Sequence, residues 1–331
     1  VHLDTESLIL AGQLGNDGRD LRFSDSCGTR IYPHYVASAL NTDSTRIWVR
    51  IPFIGNGDSL NLLVYHGATG VPDISDRSSV IDSVMVSSGN IALIGLNAAV
   101  DWFELNAGDT LFLDGQDKVT IQARVIRLDG VVMGNGRGAG APAGLSQDGN
   151  GMGPGIYSSN AGAGGGAYGG DGGTGGFDFG DTQGLGGDQY GTRTGLDLAV
   201  GSSGASSDWR LGGAGGGALD VRAEVIDMGD DLWLNGEDGQ TPGANQGAGG
   251  GAGGGFQAVG RFLRISGNVW ARGGNGTIGF ATANDDGGGG GGGRIKVRYG
   301  EWYHRPNSVD VSGGSGGFYG SQAAPEDGDN G

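Results

Sequence analysis

Cysteine is all but missing: Cys27 is the single example in 331 residues. A lone thiol cannot close an intramolecular disulfide, so burial must hold the fold together, and a chain of this length can bury enough to do so. Proline is scarce at 8 residues, and there is no sustained Gly-X-Y register, which excludes a collagen triple helix. Lysine is reduced to Lys118 and Lys296 beside 18 arginines, and glutamate to 6 residues beside 31 aspartates. Aspartate favours turns and glutamate favours helices, so the ratio points to strands and loops. No apolar run approaches the roughly 18 residues of a membrane-spanning helix. Cations are outnumbered, giving a net charge of −17. Such a surface repels phosphate backbones and argues against nucleic acid as a partner.

Glycine is what the chain has in excess, with 77 residues, 13 of them within 1–130 and 64 within 131–331. Glycine in a helix interior costs about 1 kcal/mol relative to alanine, so the second part is not helical. The split predicts an ordinary globular unit followed by a glycine-rich one. Three stretches follow from it: a β-sandwich over 1–75, connector strands over 76–105, and a glycine-rich β repeat domain over 106–331.

Both ends read as cut. Val1 opens into Val-His-Leu-Asp-Thr-Glu-Ser-Leu-Ile-Leu, which looks like a strand already under way, and the chain stops inside a glycine tract at Gly331. A trimmed chain and a processed piece of a larger secreted precursor are equally compatible with these ends.

The first 70 residues alternate apolar and polar positions. Ile47, Val49 and Ile51 share one face of a strand. Gly55-Asn-Gly57 marks a turn before a second strand over 59–65. Ile31, Pro33 and Tyr35 mark another strand. This is the pattern of antiparallel sheets with one buried face. Asn16-Asp-Gly-Arg-Asp-Leu-Arg-Phe-Ser-Asp-Ser-Cys-Gly28, Ile47-Trp-Val-Arg-Ile-Pro52 and Leu62-Leu-Val-Tyr-His-Gly67 together resemble the domain of unknown function 2341 family. That family occurs in large secreted and surface proteins of bacteria and archaea. His66 stands where the family usually has a second tyrosine, and the family's strand preceding the one at Val1 is absent. The resemblance therefore implies an open sheet edge at Val1, Leu3, Leu8 and Leu10, a template for strand donation between copies. Within this stretch Asp17, Arg19, Asp20 and Asp25 cluster around glycines. Their spacing is not that of an EF-hand, and a polar turn with an internal Arg–Asp pair accounts for them.

The second part repeats itself. Leu219–Met228 with Leu232–Gly236 superposes on Phe256–Ile265 with Val269–Gly273 at a shift of 37, which lays Trp233 on Trp270. At a shift of 100 the same copy lies on Val119–Leu128 with Val132–Gly136. A looser copy covers 295–299 and 309–313, and a half-copy covers 101–114. Each copy is a strand whose alternation flips at a doubled apolar pair (Val125-Ile126, Val225-Ile226, Phe262-Leu263), then a short strand, then a glycine tract. One copy cannot bury its own face, so copies must stack. A right-handed parallel β-solenoid is the economical solution, and a two-sheet antiparallel sandwich is the alternative. The tract from Tyr168 to Phe177 repeats X-Gly-Gly at period three, which predicts ordered polyproline-II packing rather than a flexible linker. This half resembles the glycine-rich repeats of large bacterial surface and adhesin-like proteins.

The sequence thus predicts an all-β chain: an antiparallel β-sandwich, then a glycine-rich, β-helix-like solenoid with polyproline-II loops. Chemistry-bearing motifs are few. The four histidines are scattered, no nucleophile elbow is present, and Gly287–Gly293 runs into Arg294-Ile-Lys rather than a phosphate-loop lysine. No cofactor is expected. Asp230/Asp231 and Asp285/Asp286 are candidates for a structural calcium, against turn formation as the plain reading. Tyr168, Phe177 and Tyr190 lie inside the longest glycine insert, where they either pin the loop or display a surface for glycans. The leading expectation is a non-enzymatic, extracellular structural subunit of a cell-surface filament. It assembles head to tail, with copies of itself or neighbouring segments of one precursor as partners. A carbohydrate-binding adhesin module and a polysaccharide-degrading β-helix enzyme are the alternatives.

Overall fold

The computed structural model describes residues 1–51, 59–80, 85–86, 89–177, 182–240, 246–279, 285–318 and 326–331. The Gly55-Asn-Gly57 turn lies outside these, as do residues 81–84 of the apolar run 79–86. Among the described residues there are two short helices and eighteen strands. No helix among them is long and apolar enough to cross a membrane. The chain divides into two compact units, Val1–Val84 with Ala99–Asp101, and Met85–Ala98 with Trp102–Gly331. The stretch read as a connector contributes to both.

The first unit holds two three-stranded antiparallel sheets. One has the order β1 (His2–Leu3), β5 (Thr45–Val49), β4 (His34–Val36). The other has β3 (Ile31–Tyr32), β2 (Arg22–Ser24), β6 (Leu63–Tyr65). Both face one cluster built on Leu14, Leu21, Phe23, Tyr32 and Ile47. The single strand expected across Ile31, Pro33 and Tyr35 is two strands in different sheets. Proline has no N–H to donate, so the ladder breaks at Pro33 and the chain changes partner there.

The expected strand through Val1–Leu10 also differs. Only His2–Leu3 is extended, and helix α1 covers Thr5–Leu10. Asp4 is its N-cap: its carboxylate accepts from the Ser7 backbone N–H at 3.0 Å and from the Ser7 hydroxyl at 2.6 Å. That capping bond satisfies an otherwise orphaned helix donor, which an extended chain would not need. A second helix, α2 (Arg77–Val80), occupies part of the stretch read as a strand.

The second unit is built from two six-stranded sheets. One runs β7 (Met85–Val86), β9 (Leu96–Leu105), β11 (Val119–Leu128), β13 (Ala218–Met228), β15 (Gly255–Ile265), β17 (Arg294–His304). The other runs β8 (Ile91–Leu93), β10 (Thr110–Leu113), β12 (Val131–Met133), β14 (Leu232–Trp233), β16 (Asn268–Trp270), β18 (Ser308–Asp310). Strands enter the two sheets alternately, and every pairing given for them is parallel. The antiparallel alternative for this half is therefore excluded.

The ladders carry the sequence repeat. Val119 pairs Leu219, and Leu219 pairs Phe256, the shifts of 100 and 37 found by aligning the copies. One residue is inserted on β17 between the partners of Gly260 and Phe262, where that strand bulges. The doubled apolar pairs do flip the phase. Leu219 and Val221 are buried in the core shared by the two sheets, and so are Ile226 and Met228 beyond the flip.

The glycine tracts between copies are ordered by backbone hydrogen bonds. Gly250 and Gly253 donate to Gly288 and Gly291 at 3.0 and 2.9 Å. Gly249 and Ala252 donate to Ala205 and Ser202 at 3.1 and 2.9 Å, and Gly251 and Gly254 to Glu237 and Leu234 at 2.9 and 2.7 Å. Residues three apart thus address the same neighbour, and each tract has three neighbours. The tract 287–293 repeats the scheme: Gly288 and Gly291 bond Ala163 and Gly166, Gly289 and Gly292 bond Glu326 and Asp329, and Gly290 and Gly293 bond Gly274 and Ala271. Glycine is obligatory where segments approach this closely. A Cβ on Gly251 would fall well inside contact distance of the Ala214 carbonyl, and one on Gly290 would meet the Gly251 carbonyl.

Candidate functional site

The residues singled out from the sequence separate into distinct environments. Asp17 accepts from the Arg19 backbone and side chain, at 3.2 and 2.7 Å. Asp20 is buried and accepts from the Gly15 and Gly67 N–H groups. Asp25 accepts from the Thr29 backbone and hydroxyl and from the Arg30 N–H, and these bonds hold its carboxyl below the usual range. Asp17 and Asp25 close local turns, whereas Asp20 ties the Gly15 loop to Gly67.

The calcium candidates are likewise engaged. Asp230 accepts from the Asp231 N–H at 2.8 Å, and Asp231 accepts from the Asn268 backbone and side-chain amides at 2.8 and 2.9 Å. Asp285 and Asp286 are buried, and Asp286 accepts from the Gly279 N–H at 2.5 Å. Among the described residues no group of three or more His, Cys, Asp or Glu side chains is placed to hold a metal.

Of the aromatic insert, Tyr168 is buried, whereas Phe177 and Tyr190 are half-buried. Tyr168 is 1 % exposed, stacks at 5.0 Å on Tyr190, and accepts from the Ala199 N–H at 3.1 Å. The Tyr190 hydroxyl donates to the Val200 carbonyl and accepts from Ser202. Burial pushes both phenols up. Aromatic bulk is used here to fill the space between glycine segments. Phe177 is half-buried. Phe179 lies outside the described residues.

The four assembly residues do not form one edge either. Leu3 and Leu8 pack against the core of the first unit, whereas Leu10 is 79 % exposed at the end of α1. Val1 pairs with Ile47 in both directions, so β5 is already occupied on that side.

A different feature emerges on the outer face of the sheet that contains β14. Its strands alternate, sending Leu111, Val132, Leu232 and Val269 into the core. The intervening residues face outward in register: Phe112, Met133, Trp233, Trp270 and Asp310 form one column across five strands, one side chain per strand. All are half-buried. The Trp233 and Trp270 rings meet edge to face at 4.0 Å. The Arg272 guanidinium lies 5.4 Å from the Trp270 ring and bonds Asp310 at 2.7 Å. At the other end the Arg137 guanidinium lies 4.9 Å from the Phe112 ring and bonds Asp114 at 3.0 Å.

Polar columns flank the aromatic one, two residues away along each strand. On one side Asp231, Asn268 and Ser308 are linked: Asn268 donates to Asp231, and the Ser308 hydroxyl donates to Asn268 at 2.9 Å. On the other, Asn135 accepts from the Asn235 N–H at 2.8 Å, and Asn235 accepts from the Arg272 N–H at 2.9 Å. Asp310 accepts from the Ser312 N–H, and this bond, with Arg272, lowers its pKa and keeps it ionised. The coincidence of Trp233 with Trp270 in the repeat was the sequence signal for the column. Its flanks were not legible, because their spacing of two residues acquires meaning only once strand register is known.

A search of curated proteins and a search of solved structures return no match. One family model, described as Domain of unknown function (DUF2341), matches residues 17–90, most of which belong to the first unit and the last few, 85–90, to the second.

Proposed function

We propose that this chain is a rigid, extracellular structural subunit of a microbial cell-surface fibre, joined end to end with further copies of itself. In this reading the alternating parallel sheets are rungs of a β-solenoid. The glycine tracts, whose hydrogen bonds repeat every third residue, are polyproline-II helices packed beside it, since that helix has three residues per turn. Both devices fix shape through the backbone.

The observation that carries the assembly reading is the long strand at the margin of the larger sheet, terminal among the described residues. Strands β17 and β18 are terminal in their two sheets and belong to the same repeat. β17 is 11 residues long and carries exposed Tyr299 and Trp302. An edge of that length is a template for another strand. It replaces the ten-residue edge expected at Val1–Leu10, where α1 intervenes.

Negative-stain electron microscopy of the purified protein without partners tests this. Filaments with a regular axial repeat are expected. The double variant Tyr299→Lys/Trp302→Lys, which places charge on the edge, should abolish them while leaving the circular dichroism spectrum unchanged. Isolated particles at every concentration, or filaments that persist in the variant, would overturn the reading.

A further inference from the structure

The half-buried column on the outer face of the β14 sheet has the chemistry of a saccharide-binding strip, and we infer that it binds an extended, neutral β-1,4-linked polysaccharide lying across the strands. The inference goes beyond the structural role and does not depend on whether copies assemble.

Several observations define the ligand. The first is shape. Neighbouring strands are about 4.8 Å apart, so five successive side chains make a straight strip about 19 Å long. A straight strip suits an extended chain rather than a compact sugar. The second is the split between apolar and polar positions. The strip presents rings and a thioether at Phe112, Met133, Trp233 and Trp270. Hydrogen-bonding side chains run along both margins, about 6.6 Å to either side. A pyranose in a β-1,4 chain has the matching division, with apolar C–H groups on its faces and hydroxyls around its rim. Aromatic rings with a polar handle nearby suit such a partly wet contact.

The third observation is charge. The arginines at the two ends of the strip are each paired with a carboxylate, Arg137 with Asp114 and Arg272 with Asp310. Neither is left to recruit an anion, and the acidic surface of the whole chain, net −17, disfavours polyanions further. A neutral polymer remains. The fourth is use of the backbone. The Asn135 and Asn235 side-chain oxygens accept backbone N–H groups of the next strand, which holds each amide in a fixed orientation along the margin. A margin already ordered loses little conformational entropy on binding.

Native affinity electrophoresis tests the inference, with hydroxyethyl cellulose, glucuronic-acid-free xylan or galactomannan cast into the gel and alginate as the charged comparison. The wild-type protein should be retarded by at least one of the neutral polymers and not by alginate. Trp270→Ala should weaken the retardation at least tenfold, whereas Trp209→Ala, which removes an exposed tryptophan outside the strip, should leave it unchanged. Because Trp270 also supports Trp233, Arg272→Ala is the second variant. It removes the guanidinium from one margin while leaving Asn135, Asn235 and the ring pair in place, and it too should weaken retardation several-fold with an unchanged melting temperature. No retardation by any neutral polymer, retardation by alginate alone, or retardation that survives both Trp270→Ala and Arg272→Ala would overturn the inference. Filament formation is read separately by microscopy, so failure of either proposal is distinguishable from failure of the other.

Discussion

An alanine methyl at Gly251 would have to share space with the carbonyl of Ala214, and the segments on both sides are fixed by their own hydrogen bonds. Relief requires the tracts to move apart, and overpacking of this kind costs about 1–3 kcal/mol. The lower entropy of the unfolded alanine chain offsets only about 0.4–1 kcal/mol. Gly251→Ala should therefore lower the melting temperature measured by circular dichroism. Gly300 is the contrast: a Cβ there would first meet Arg261 Cα at an ordinary 3.5 Å. Gly300→Ala should leave stability within about 0.5 kcal/mol of wild type. The glycine count in the sequence announces that such positions exist. It cannot say which glycine abuts a carbonyl, because that depends on segments more than 150 residues apart, as where a Cβ on Gly170 would meet the Asp329 carbonyl.

At the scale of single elements, charge supplements the apolar pattern in setting strand register. Arg127 bonds Glu104 and Asp129, Arg264 bonds Asp227 with two hydrogen bonds of 2.6 Å, and Arg261 lies between Glu224 and Glu301. These pairs are exposed and individually weak, worth about 0–1 kcal/mol. Opposite charges across adjacent strands nonetheless favour the observed register over a slipped one. Asp220 on β13 is different, because it is fully buried. It accepts three bonds from Arg222 and one at 3.2 Å from the Gln257 amide. Asp220→Ala leaves that amide only its longer bond to the Leu196 carbonyl, at 3.4 Å, and frees Arg222, which is partly exposed and can rehydrate. Urea unfolding followed by tryptophan fluorescence should show a loss of about 1.5–3 kcal/mol, the range for hydrogen bonds to charged groups. Element types were readable where the pattern was long: β11, β13 and β15 fall where the repeat placed them. They were misread at Val1–Leu10, where six helical residues depend on a cap at Asp4 rather than on periodicity.

For the molecule as a whole, two separate cores imply two cooperative transitions. The core of the first unit centres on Phe23 and Ile47, and that of the second on the space between the parallel sheets. They should differ in pH response. His34 in the first unit is 1 % exposed, lies 5.2 Å from the Phe23 ring, and has no hydrogen-bond partner at either ring nitrogen among the described residues. Burial pushes its imidazole below the usual range, Arg22 adds to the shift, and Asp73 opposes it. Above about pH 6.5 both folded and unfolded states hold it neutral. Below that the unfolded state binds the proton first, so stability falls as pH drops towards the folded pKa. Scanning calorimetry should resolve two transitions, of which one moves down between pH 7.5 and 5.5. In His34→Gln that dependence should flatten, and the other transition should be unaffected.

Composition and repetition alone determined several things about this protein. One cysteine rules out a disulfide framework. Glycine is concentrated after residue 130, although the second unit already begins at Met85, and the copies at shifts of 37 and 100 are already the ladder registers. These were legible because period and register are one-dimensional properties, carried by neighbours in sequence. Tertiary structure decided the rest. Tyr168 became an internal support once glycine segments closed around it, with the half-buried Tyr190 beside it. The column of Phe112, Met133, Trp233 and Trp270 exists only because parallel strands from four repeats lie side by side. A surface whose residues are separated by 21, 100 and 37 positions has no local signature, and only the stacking that buries the opposite face brings them into line.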